Sequence, residues 1–157
     1  MVDITVVHGD TAITPRGVGT FGSRTLVVGG TAALEASTRV KDKAKRIAAA
    51  LLQVTPEHVV MENGILYAED IPVRQVTWAE LCREAHDGTN LPTEIERGLE
   101  ATSFWEPPGL TFPFSAHIAV VRIDRATGEV KLTKYVAVDD CGKVINPMLV
   151  EGQVHGG

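Results

Sequence analysis

The chain has 157 residues, of which 44% are hydrophobic, 22% charged and 5% aromatic, with a net charge of −5. That length suits one domain or two small lobes, and the scarce aromatics leave any core to Val, Ile, Leu and Ala. The acidic balance, with no dense Lys/Arg run interleaved with aromatics, excludes a general nucleic-acid surface, and no apolar run reaches the roughly 18 residues of a membrane span.

Residues 1–7 lack a basic leader and a small-residue cleavage site, so the reading is cytoplasmic, with Cys82 and Cys141 reduced. Ile4 to Val7 reads as a short β-branched strand ended by His8-Gly9-Asp10. Next comes Gly17-Val18-Gly19-Thr20-Phe21-Gly22-Ser23-Arg24. Glycines let backbone N–H groups approach a ligand closely. Hydroxyls and a guanidinium add donors for phosphate or pterin oxygens. A helix that follows adds free N–H groups and its positive dipole end. No Gly-Lys-Ser/Thr follows, so this is not a P-loop. Gly17, Gly19 and Gly22 match Gly-x-Gly-x-x-Gly formally, but Thr14-Pro15-Arg16 stands where a strand is needed and the helical pattern starts only after Gly30. The segment reads as an anion-binding loop or as a glycine-rich surface loop.

From Thr31 to Gln53, Ala33, Ala36, Val40, Ala44, Ile47 and Leu51 recur on one helix face. Arg39, Lys41, Lys43, Lys45 and Arg46 lie largely off it, as a solvated surface. Thr55-Pro56 stops the helix. Asn63-Gly64 between Val59-Val60-Met61 and Ile65-Leu66-Tyr67 is a hairpin signal, and Ile71 to Arg74 offers a third strand. Thr77 and Glu80 fit a capping box for a helix ending near Ala85. Residues 87–98 read as a loop.

Glu106-Pro107-Pro108-Gly109 breaks any element. The aromatic segments around it, Trp105 and Thr111-Phe112-Pro113-Phe114, read as a hydrophobic plug or interface. Ala116 to Asp124 and Glu129 to Val138 form two strands joined by a hairpin loop. Asn146 and Pro147 open a last helix as N-cap and N1. The fold class is α+β, with mixed helices and β-hairpins, split into 1–98 (Gly-rich loop, long helix and small α/β part) and 99–157 (hairpin and the start of a helix).

Candidate chemistry is sparse. Adjacent strand residues point to opposite faces, so Asp139 and Asp140 form no acid pair, and Asp140 reads as a turn residue accepting backbone hydrogen bonds. No His lies at a recognisable offset from Cys141, and both cysteines read as packing residues. His8, His58, His86, His117 and His155 are scattered, without the i, i+4 spacing of a helical zinc site; His117 reads as a satisfied structural residue. Gln153 and His155 face a ligand or pack the last helix.

Four segments in order carry a resemblance. They are His8-Gly9-Asp10-Thr11, the run Gly17 to Arg24, Phe112-Pro113-Phe114-Ser115-Ala116-His117, and Val138-Asp139-Asp140-Cys141-Gly142-Lys143-Val144-Ile145-Asn146-Pro147 continuing into Val150-Glu151-Gly152-Gln153-Val154-His155-Gly156-Gly157. Together they resemble the molybdenum-binding large subunit of the xanthine dehydrogenase/aldehyde oxidase family, and within it the aerobic carbon monoxide dehydrogenase branch. The resemblance implies part of a two-lobed molybdopterin-binding domain of an oxidoreductase. The cofactor implied is molybdopterin with Mo, often as the cytosine dinucleotide. Small substrates such as carbon monoxide, aldehydes or heterocycles are hydroxylated with oxygen from water. Electrons leave through iron–sulfur and flavin subunits. Carried over by residue, Gly19, Thr20, Phe21, Gly22, Ser23 and Arg24 match a loop lying against the pterin, with Gln153 in its Glu-Gly-Gln motif as a further cofactor-binding candidate. The family's catalytic glutamate lies beyond Gly157, and the loop with a copper-bound cysteine precedes Met1, so Cys141 does not take that role. On this reading the chain is an internal piece, inactive alone and prone to oligomerise through uncovered apolar faces. A non-catalytic scaffold or assembly domain that keeps the fold is the alternative.

Overall fold

The computed structural model describes residues 4–14 and 16–157. The chain divides into two units, Met1–Pro107 and Pro108–Gly157. Residues 99–107 thus stay with the first unit, and Leu99 packs against its core.

In the first unit a long helix, α1 (Thr31–Leu52), packs on an antiparallel sheet of order β1-β2-β3, built from β1 (Val59–Glu62), β2 (Ile65–Ala68) and β3 (Ile71–Thr77). Gln53 ends α1 in the left-handed conformation, its N–H returning to Ala49 and Ala50 carbonyls, and Pro56 then prevents continuation. Asn63 and Gly64 both have positive φ between β1 and β2, the turn whose twist matches a two-residue hairpin. β3 leads into α2 (Trp78–Asp87) through a complete capping box: Glu80 N–H donates to Thr77 Oγ1, and Thr77 N–H donates to Glu80 Oε2. Ala44, Ile47, Ala48, Leu52, Val59, Leu66, Leu81 and Ala85 form the buried centre. Ile95 from the following loop closes it.

In the second unit β4 (Phe114–Ile123) and β5 (Val130–Asp140) form one long antiparallel ribbon, followed by α3 (Pro147–Gly156). The Asp124 carboxylate accepts from Ala126 and Thr127 N–H at the ribbon's turn. These bonds hold its carboxyl below the usual carboxylate range. Asn146 caps α3 by accepting from Leu149 N–H, with Pro147 at the first helical position. No residue of the ribbon is buried within the unit.

Several expectations need correction. Ile4 to Val7 forms no strand: among the described residues nothing pairs with it, and Ile4 and Val6 are exposed. Helical structure begins before Gly30, at Thr25 and a π-helical turn over Leu26–Gly30 that runs into α1. The glycines at 29 and 30 obscured it, because glycine is a poor helix former. Of the predicted α1 face only Ala44 and Ile47 are buried, while Ala33 is exposed and Ala36, Val40 and Leu51 are half-buried. α2 reaches Asp87, β3 reaches Thr77, and the ribbon extends to Phe114 and Asp140.

Candidate cofactor-binding site

The segment Gly19–Arg24 is a strained, open turn directly ahead of a helix. Gly19 and Gly22 have φ of 92° and 57°, and Ser23 follows with φ of 55°. Glycine adopts such angles freely, whereas a serine there carries a strain that the surrounding structure must hold. Arg24 N–H closes the turn on the Phe21 carbonyl at 3.3 Å, and the Arg24 carbonyl accepts from Val28 N–H. The Arg24 guanidinium lies 4.7 Å from the centroid of the Phe21 ring. Thr20 and Thr25 hydroxyls share a hydrogen bond of 2.8 Å across the turn. Phe21 is exposed and Arg24 half-buried.

Three features make this segment a donor surface. Among the described residues, no acceptor meets the backbone N–H groups of Gly17 to Ser23. The space beside Gly17, Gly19 and Gly22, where a side chain would begin, is open to 4 Å. The helical turn opening at Thr25 adds its own N-terminal N–H groups and positive dipole end. Free N–H groups, the Ser23 hydroxyl and the Arg24 guanidinium suit oxygen acceptors bearing negative charge. A phosphorylated pterin presents such oxygens, so the donor set fits that group. The helical turn begins directly after the loop, ahead of where the sequence pattern puts it. The missing strand ahead of the loop still separates it from a dinucleotide fold.

Gln153 belongs to the second unit. It is exposed on α3, and its carbonyl accepts from Gly157 N–H. Asp139 and Asp140 occupy opposite faces of the ribbon, as alternation requires. Asp140 accepts from Gly142 N–H at 2.9 Å, a strand-end turn. Cys82 is a half-buried and Cys141 an exposed free thiol. Among the described residues no group of three His, Cys, Asp or Glu is placed to hold a metal.

Sequence reading missed one cluster. His117 Nδ1 lies 2.8 Å from Tyr135 Oη, and its Nε2 lies 3.5 Å from Asp139 Oδ1. Tyr135 and Asp139 alternate on β5, flanking the position opposite His117. The signal was available only once the register was known, because the pairing joins residues far apart in the chain.

A groove of about 530 Å³ runs between α1 and residues 94–102 in the first unit. Arg39, Lys43 and Arg46 line it from α1, and Glu94, Glu96 and Glu100 from the later segment. Arg39 donates to the Thr102 carbonyl and Lys43 to that of Arg97, so part of the α1 charge run pins the segment behind it. None of Gly19–Arg24 lines this groove.

Comparison with known proteins places the whole chain in one family. The model of the molybdopterin cofactor-binding domain family matches residues 1–157. The carbon monoxide dehydrogenase large chain of Hydrogenophaga pseudoflava is 41% identical over 154 residues, covering 98% of this chain and 19% of that protein. The nicotine 6-hydroxylase large subunit of Paenarthrobacter nicotinovorans is 34% identical over 155 residues, again covering 98% of this chain and 19% of the relative. The reconstituted carbon monoxide dehydrogenase from Oligotropha carboxidovorans superposes with a TM-score of 0.80 at 38% identity, over 94% of this chain and 18% of that one. The chain therefore spans about a fifth of the length of the relatives it matches. Those two relatives are large subunits of their enzymes, and among the described residues no helix is long and apolar enough to cross a membrane. A match over its whole length establishes that this α+β chain belongs to the molybdopterin cofactor-binding domain family.

Proposed function

We propose that this chain forms part of a molybdenum hydroxylase large subunit, and that Gly19, Thr20, Phe21, Gly22, Ser23 and Arg24 hold the molybdopterin. The observation that carries the reading is the row of unpaired N–H groups in an open, positive-φ turn. The Gly22 and Ser23 amides and the Ser23 hydroxyl donate to cofactor oxygens. Arg24, steadied by Phe21, balances the cofactor's negative charge. The Thr20–Thr25 hydrogen bond fixes the turn against the helix start. Gln153 is a separate cofactor-binding candidate of the second unit. Residues 1–157 make up a portion of the cofactor-binding domain.

When bound, the molybdenum cofactor supplies the redox centre for oxidising a small substrate such as carbon monoxide, an aldehyde or a heterocycle with oxygen from water. The chain's own share is to bind and orient that group. Electrons leave through iron–sulfur and flavin subunits of the complex. The enzyme works in the cytoplasm, where the free thiols of Cys82 and Cys141 stay reduced. Support for the enzyme class comes from the relatives' identities at 34% and 41%.

The test is molybdenum and pterin content per subunit in the full-length protein carrying Ser23→Ala or Arg24→Ala. Both variants are expected to fold and to lose cofactor. Unchanged molybdenum content in both would overturn the assignment of the loop.

A further inference from the structure

The ribbon carries a second cluster of reactive groups that cofactor binding does not use. His117 lies on β4, and Tyr135 and Asp139 lie on β5 on the same face. The imidazole contacts both: Nδ1 is 2.8 Å from the Tyr135 oxygen, and Nε2 is 3.5 Å from the Asp139 carboxylate. The rings of His117 and Tyr135 stand edge to face at 87°. Tyr135 as a whole is 55% exposed. Ser115, Ala119 and Ala137 flank the cluster on this face, while Arg122, Lys131, Lys134 and Asp140 alternate to the other.

The chemistry follows from which nitrogen holds the proton. A carboxylate beside Nε2 favours the tautomer protonated there. Nδ1 is then an acceptor, and the phenol donates to it. A carboxylate that orients an imidazole, which in turn accepts the proton of a hydroxyl, is the arrangement that activates an oxygen nucleophile. We propose that Asp139, His117 and Tyr135 form a base-activated phenol site on the β4–β5 ribbon, with Tyr135 Oη as the nucleophile and activated acyl donors as its ligand class. In the reaction the phenol oxygen bonds to the acyl carbon while the bond from that carbon to its leaving group breaks. The phenol proton passes to His117 Nδ1 and from there to the departing group. The site stands independently of the cofactor loop.

The chain provides its own comparator, because Tyr67, the other of its two tyrosines, donates to the Glu62 carboxylate and has no imidazole partner among the described residues. The full-length protein is treated with N-acetylimidazole, and acetylation of Tyr135 and Tyr67 is followed by peptide mass mapping, with N-acetyltyrosine as the free reference. Tyr135 is expected to react about tenfold or more faster than Tyr67. His117→Gln is expected to remove the advantage at all pH values, and Asp139→Asn to reduce it while the ribbon's circular dichroism is retained. Two results would each overturn the proposal. One is a Tyr135 rate no higher than the free reference. The other is an acceleration that survives His117→Gln in a chain whose ribbon is intact.

Discussion

The guanidinium of Arg24 rests over the ring of Phe21, 4.7 Å from its centroid, and the same two residues close the turn through the Arg24 N–H and the Phe21 carbonyl. The aromatic ring therefore acts on the cation it supports. An exposed cation–π contact is worth about 0.5–1 kcal/mol. Phe21→Ala is expected to weaken cofactor retention by roughly 2- to 5-fold on that scale. Arg24→Ala removes a charge-assisted donor worth about 1.5–3 kcal/mol and is expected to cost roughly 10-fold or more. Dissociation of cofactor from the full-length protein, followed by its absorbance, checks the order of the two effects.

Burial separates the two units energetically. Ile47 and Leu66 are fully buried where α1 meets the sheet. Truncating either to Ala is expected to destabilise the first unit by about 2–5 kcal/mol. Ile118 is 61% exposed on the ribbon, and Ile118→Ala is expected to stay within about 0.5 kcal/mol in this chain. Thermal unfolding of the three variants by circular dichroism measures the contrast.

Gly88 ends α2 with φ of 66°, and a side chain there meets the Arg97 Nε at 2.5 Å. Gly88→Ala combines a left-handed backbone with displacement of Arg97. Its expected cost is about 1–2 kcal/mol, from the left-handed conformation alone. A matching fall in urea midpoint, without a change in slope, is the readout.

The capping box gives a pH signature. The Thr77 hydroxyl, and after it the Thr77 N–H, hold the Glu80 carboxyl below its usual range. A depressed carboxyl stabilises the fold above its unfolded value, near 4.3. That contribution is lost as pH falls through the folded value. Helix content of α2 is expected to drop on acidification below about pH 4, and Glu80→Gln to remove that part of the acid dependence. Glu57 and Asp124 are also lowered and keep a residual acid response in the variant. Thr77→Ala, which removes the cap itself, is expected to cost about 1 kcal/mol at neutral pH.

Local chemistry made much of this fold legible. Asn63-Gly64, the Thr77–Glu80 box and the Asn146-Pro147 start each encode their own geometry within a few residues. The long period of α1 did so over several turns. What stayed hidden depends on distant partners. Val6 and Val7 have strand-forming side chains but nothing to pair with among the described residues. The helical turn at Leu26–Gly30 forms against glycine's propensity, as an extension of α1. The half-exposed start of α1 shows the same rule, since an apolar stripe records what can be buried and not what is. At the candidate site the donor types were readable in Ser23 and Arg24. The positive φ of Ser23 and the Phe21–Arg24 stacking were not, because no propensity scale encodes them. The His117 cluster needed the β4–β5 register before Tyr135 and Asp139 met the imidazole.

The most direct measurement is the structure of the cofactor-loaded, full-length protein. The account predicts cofactor oxygens within hydrogen-bonding distance of the Gly22 and Ser23 amides, with the Arg24 guanidinium facing the cofactor. A cofactor seated elsewhere, with the N–H groups of Gly19 to Ser23 open to solvent, would contradict it.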